Sequence, residues 1–115
     1  MTKSNRKRLE QRIPMRLAVR VRGMDLNGKL FDIETHTLDV TPQSARVDGI
    51  WQPLHRGMNI GIECEGRRAR FRVTWVGKPE TGNAGEIGVQ CLEPGRYIWG
   101  VALKRRLHIE EEDVA

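Results

Sequence analysis

Arg67-Arg68-Ala69-Arg70-Phe71-Arg72-Val73-Thr74-Trp75-Val76 decides the fold. Ala69, Phe71, Val73 and Trp75 alternate with Arg68, Arg70, Arg72 and Thr74. A period of two makes one apolar and one polar face only in an extended strand. A helix would scatter the same arginines around its circumference. Phe71 and Trp75 are therefore read as core residues, and the three arginines as the solvated outer face.

The same rhythm continues on both sides. Asn59 to Glu65 carries Ile60, Ile62 and Cys64 in phase, and Glu65-Gly66 joins it to the arginine strand by a tight turn. Gly77 to Gly85 is a polar hairpin loop, after which Glu86 to Leu92 brings Ile87, Val89 and Cys91 into phase. Upstream, Arg16 to Arg22 alternates apolar and basic residues, and Asn27-Gly28 marks a hairpin to Lys29–Leu38, with Phe31 and Ile33 inward. A turn over Asp39–Ser44 leads to the short strand Ala45-Arg46-Val47, and Pro53 to Gly57 reads as a loop. Trp51 falls outside any clear phase.

Six short strands joined by tight turns predict an all-β fold, a small six-stranded antiparallel β-barrel whose closure removes exposed edges. After Pro94, the run Tyr97, Ile98, Trp99 and Val101 is expected to form a turn or short helix that plugs the barrel. The 115 residues leave room for one core. The expected organisation is a flexible basic arm over 1–13, the barrel over 14–103, and a charged tail or short helix over 104–115.

The net charge of +5 is unevenly placed. Residues 1–22 hold Lys3, Arg6, Lys7, Arg8, Arg12, Arg16, Arg20 and Arg22 against Glu10 alone, while Glu110, Glu111, Glu112 and Asp113 reverse the sign. That asymmetry suggests an anionic partner at the N-terminal end. No apolar run approaches the ~20 residues that span a bilayer, and no apolar stretch follows the basic N-terminus. Cys64 and Cys91 stand in no metal or redox spacing and on the apolar phase, which reads as buried thiols in a cytoplasmic protein. His36, His55 and His108 lack neighbours at metal-ligand spacing, and no nucleophile elbow or phosphate loop is present, so no catalysis and no cofactor are expected. Phe31, Phe71 and Trp75 on the apolar phase argue against a nucleic-acid partner, because single-strand binders put such rings outside.

Two short runs remain. Arg8-Leu9-Glu10-Gln11-Arg12 places two guanidiniums four residues apart, and Asp39-Val40-Thr41-Pro42-Gln43-Ser44-Ala45-Arg46-Val47 follows after a hairpin. Their order and separation resemble the PilZ family of cyclic di-GMP receptors, which carry an Arg-x-x-x-Arg arm and then Asp/Asn-x-Ser-x-x-Gly on a split β-barrel. The resemblance spans roughly residues 6–103. It implies bacterial second-messenger signalling: cyclic di-GMP as ligand, an arm that reorders on binding, and a downstream protein that reads the change.

Carried over residue by residue, the resemblance gives Arg8 and Arg12 guanine and phosphate contacts, suited to the planar guanidinium fork. Asp39 takes the acidic position, where a carboxylate accepts from a guanine edge. Thr41 stands in the Ser position and Ser44 in the Gly position. Arg46 shares the strand face of Ser44 by period two and adds a possible phosphate contact. If the glycine position needs a positive φ, Ser44 costs about 1–2 kcal/mol. If ligand packs on that Cα, the hydroxymethyl blocks it. The alternative function is a degenerate PilZ-like adaptor that does not bind the nucleotide and acts through protein contacts.

Overall fold

The computed structural model describes residues 12–100; Arg8 and the expected C-terminal helix lie outside them. Seven strands are present: β1 (Ile13–Pro14), β2 (Ala18–Met24), β3 (Leu30–Thr41), β4 (Ser44–Val47), β5 (Asn59–Cys64), β6 (Arg67–Val76) and β7 (Ile87–Cys91). Their order is β1-β3-β2-β5-β6-β7-β4, and β4 also pairs with β3. Every pairing is antiparallel. Six strands thus close the expected barrel, and the pairing of the long β3 with both β2 and β4 is what joins its ends.

The alternating patterns sort as elementary hydrophobicity requires. Val19, Val21, Ile60, Ile62, Cys64, Ala69, Phe71, Val73, Ile87, Val89 and Cys91 are all buried. In β2, β5 and the first part of β6 the residues between them are more exposed, so these strands line the core with every second residue. Ile98 and Trp99 plug the barrel: Trp99 is 1% exposed, and its ring centroid lies 5.3 Å from that of Phe71. Burying side chains of this size contributes roughly 1.5–3 kcal/mol each. The indole Nε1–H donates to the Thr41 carbonyl at 2.6 Å, so the plug also holds the end of β3.

The β2–β3 hairpin turns where Asn27-Gly28 predicts it. Asp25 Oδ1 accepts the backbone N–H of Asn27 (2.8 Å) and of Lys29 (3.0 Å), and Gly28 takes the left-handed φ of 77° that the turn needs. β1 is the strand that periodicity did not mark, being only two residues long. Ile13 pairs with Val40 and Pro14 with Asp39, extending the β2 side of β3. The gap between β1 and β2 is stitched by buried Thr37, whose Oγ1 donates to the Met15 carbonyl (2.6 Å) and accepts the Leu17 N–H (2.9 Å).

Candidate functional site

Two register shifts build the outer wall on which the expected site residues stand. Counting by twos from Phe31 and Ile33 would put Asp39 inside the barrel. The pairing of β3 with β4 slips between Thr37 and Asp39, so Leu38 is an extra residue, a β-bulge. Beyond it the phase inverts: Val40 is fully buried, and Asp39 turns out beside its register partner Arg46. Asp39 and Thr41 are strand residues rather than part of a turn. Only Pro42 and Gln43 bend the chain, and Thr41 pairs directly with Ser44.

Ser44 is extended backbone. Among the described non-glycine residues only Glu65 has a positive φ, 52°. The backbone strain anticipated for serine in the glycine position is therefore absent. The Ser44 and Thr41 hydroxyls share a hydrogen bond of 2.6 Å, and the Gln43 N–H donates to Thr41 Oγ1 at 3.3 Å.

Asp39 ties the wall together. Arg12 Nη1 donates to its Oδ1 at 2.8 Å, and Arg46 Nε donates to its Oδ2 at 3.1 Å. Arg46 Nη1 reaches on to Glu86 Oε1 at 3.3 Å. The Asp39 side chain is 12% exposed, against 46% for Arg12 and 40% for Arg46. One nearly covered carboxylate thus holds two half-exposed guanidiniums, and Arg46 directs its three nitrogens at Asp39 and Glu86. Arg12, Thr41 and Ser44 line a cleft of about 470 Å³ together with Gln43, Thr74 and Gln90. The structure brings Arg12, Asp39, Thr41, Ser44 and Arg46 onto one wall; Arg8 lies outside the described residues.

Periodicity placed Trp75 in the core, and this is corrected. The β6–β7 register slips between Val73 and Trp75, leaving Thr74 as the extra residue, and Val76 rather than Trp75 packs against the core. Trp75 is half-buried on the outer face, its indole lying so close to Gly88 that a Cβ there would overlap it. Gly88 in turn pairs with Arg46, so Asp39, Arg46, Gly88 and Trp75 form one row across four strands. Gln43 was also missed; its Nε2 is buried without a hydrogen-bond partner beside the cleft. Glycine at 88 is the one local signal that a neighbouring ring needed room. Neither bulge has a sequence mark of its own.

The wall thus presents the half-exposed Arg12 and Arg46 guanidiniums, the partnerless Gln43 amide and the Trp75 indole side by side. Among the described residues no group of three or more His, Cys, Asp or Glu is placed to hold a metal ion. No helix among them is long and apolar enough to cross a membrane. Cys64 and Cys91 are both buried free thiols, and burial pushes the Cys64 thiol above its ordinary value, with the Glu65 charge adding to it. No protein-family model matches the chain, and no curated protein matches it.

Proposed function

We propose that this barrel is a cyclic di-GMP receptor of the PilZ kind, with Arg12, Asp39, Thr41, Ser44 and Arg46 on the wall and Arg8 from the N-terminal segment as ligand contacts. The observation that carries this reading is the Arg12–Asp39–Arg46 cluster beside a cleft lined by Thr41, Gln43 and Ser44. A cyclic dinucleotide offers two phosphates, two guanine edges and flat ring faces. Guanidinium forks pair with the first two, and Trp75 beside Arg46 suits the third.

The mechanism follows from Asp39 being engaged in the free protein. Arg12 is parked on Oδ1 by an ion pair that is nearly half exposed on the arginine side, a weak hold of the order of 0–1 kcal/mol. A ligand phosphate draws Arg12 away, and the released carboxylate oxygen accepts a guanine N–H. Arg46 stays on Oδ2 and keeps the carboxylate aimed. Displacement of Arg12 moves the segment that carries Arg8, which makes binding a positional signal for a downstream protein.

A second reading has its own observation. The Thr41 hydroxyl, which the family resemblance assigns to ligand, is already bonded to Ser44 at 2.6 Å. That arrangement favours an adaptor that keeps the barrel and works without nucleotide. Calorimetric titration of cyclic di-GMP into the full chain separates the two. Saturable binding with a Kd of about 10 μM or tighter, abolished in Arg8→Ala/Arg12→Ala, is expected of the receptor. Absence of heat in the wild type would establish the adaptor instead.

A further inference from the structure

The outer wall around β5 lies across the barrel from the wall around β4, three strands away in either direction. Two clefts meet there over Gly61. One, of about 480 Å³, runs towards Arg68 and Arg96; the other, of about 580 Å³, runs towards Met24, Leu30 and Phe31. Both are lined by Arg22 and Gly61, so they form one continuous groove. Gly61 leaves its floor open, since a Cβ there would meet only the Arg22 carbonyl at 3.9 Å.

The two ends differ in chemistry. Met24 and Leu30 are register partners on the outer face, 52% and 74% exposed. At the other end Arg96 Nε donates to the Arg68 backbone carbonyl at 2.7 Å, which holds the Arg96 guanidinium against β6 at Arg68. Neither guanidinium has an ion-pair partner among the described residues. The arginines between these ends are already neutralised. Asp32 receives Arg20 at 2.7 Å and Arg22 at 3.2 Å, Glu63 lies 4.0 Å from Arg22, and Glu93 lies 3.7 Å from Arg70; the hydrogen bond from Arg20 leads in holding the Asp32 carboxyl below the ordinary value.

We propose that this groove docks a segment of a partner protein bearing an apolar anchor at one end and carboxylates at the other. Exposed aliphatic side chains beside unneutralised arginines have the composition of an interface rather than of ordinary surface. Met24 and Arg68 stand two strand spacings apart and about four residues along the sheet, some 15–20 Å, which is about five residues of extended chain. A continuous polyanion fits poorly: Asp32, Glu63 and Glu93 interrupt the groove and would repel successive phosphates. The same carboxylates disfavour an anionic bilayer.

The probe is a fluorescent synthetic peptide with two leucines and three glutamates separated by about four glycine and serine residues. Anisotropy at low salt is expected to show saturable binding below about 1 mM, weakened about tenfold by Leu30→Ser and equally by Arg68→Glu. Both side chains are exposed, so thermal melts should match the wild type and loss of binding would not reflect unfolding. Lys78→Ala, exposed and outside the groove, leaves peptide binding unchanged. No binding, or equal binding of a peptide with serines in place of the leucines, overturns the proposal. So does tighter, Leu30-dependent binding to phosphatidylglycerol vesicles, or Arg68-dependent binding to single-stranded DNA that excludes the peptide.

Discussion

Asp39 shows how one side chain sets the state of a site. Its two oxygens each hold a guanidinium, so the wall is ordered before any ligand arrives. Ser44 is the residue on which the receptor and adaptor readings divide. With its backbone extended, Ser44→Gly relieves no strain. It deletes the bond to Thr41 and loosens the strand, and urea denaturation is expected to show a loss of about 1–2 kcal/mol. Affinity for cyclic di-GMP should stay within about threefold of wild type by calorimetry. A gain of about tenfold or more would mean that the hydroxymethyl occupies space the ligand needs. The identities of these residues were legible in the sequence as a spaced motif. Their mutual contacts were not, because a hydrogen bond between Arg12 and Asp39 joins positions 27 apart.

Strands and turns followed local pattern wherever the pattern was unbroken. β5 and the start of β6 keep a period of two, β7 departs from it only at Gly88, which is covered as well, and each buries the side chains that alternation selected. The failures fall at Leu38 and Thr74, where one inserted residue inverts the phase and sends the next side chain to the opposite face. Both bulges open onto the candidate wall, and each brings one of its members, Asp39 or Trp75, to the outside. Gly88→Ala tests this arrangement. The new methyl displaces the Trp75 indole, which should lower stability by about 1–3 kcal/mol and shift tryptophan emission. An unchanged melt and spectrum would mean that the ring does not lie over Gly88.

Closure through β3 and β4 leaves a single interior, and Cys64 samples it. The thiol is 1% exposed, and burial raises it above the ordinary 9.0, so the folded chain holds the proton more tightly than the unfolded one. Below about pH 9 this contributes nothing; above it the unfolded chain ionises first and stability falls as pH rises. Urea midpoints for wild type and Cys64→Val should therefore run parallel up to about pH 8.5 and diverge above it, with the wild type losing more. Parallel lines to pH 10 would place the thiol at the surface. On this scale the sequence by itself determined the strand content, the six-strand count and most of the buried set. Those rest on local alternation, which hydrophobic burial converts directly into strand faces. Only the tertiary structure decided which strand closes the ring, where the register slips, and that Arg12, Asp39, Arg46 and Trp75 share a wall while Leu30 and Arg68 share the opposite groove. Such groupings depend on pairing between distant strands, where the cost of one unpaired residue is weighed against the packing of the whole barrel.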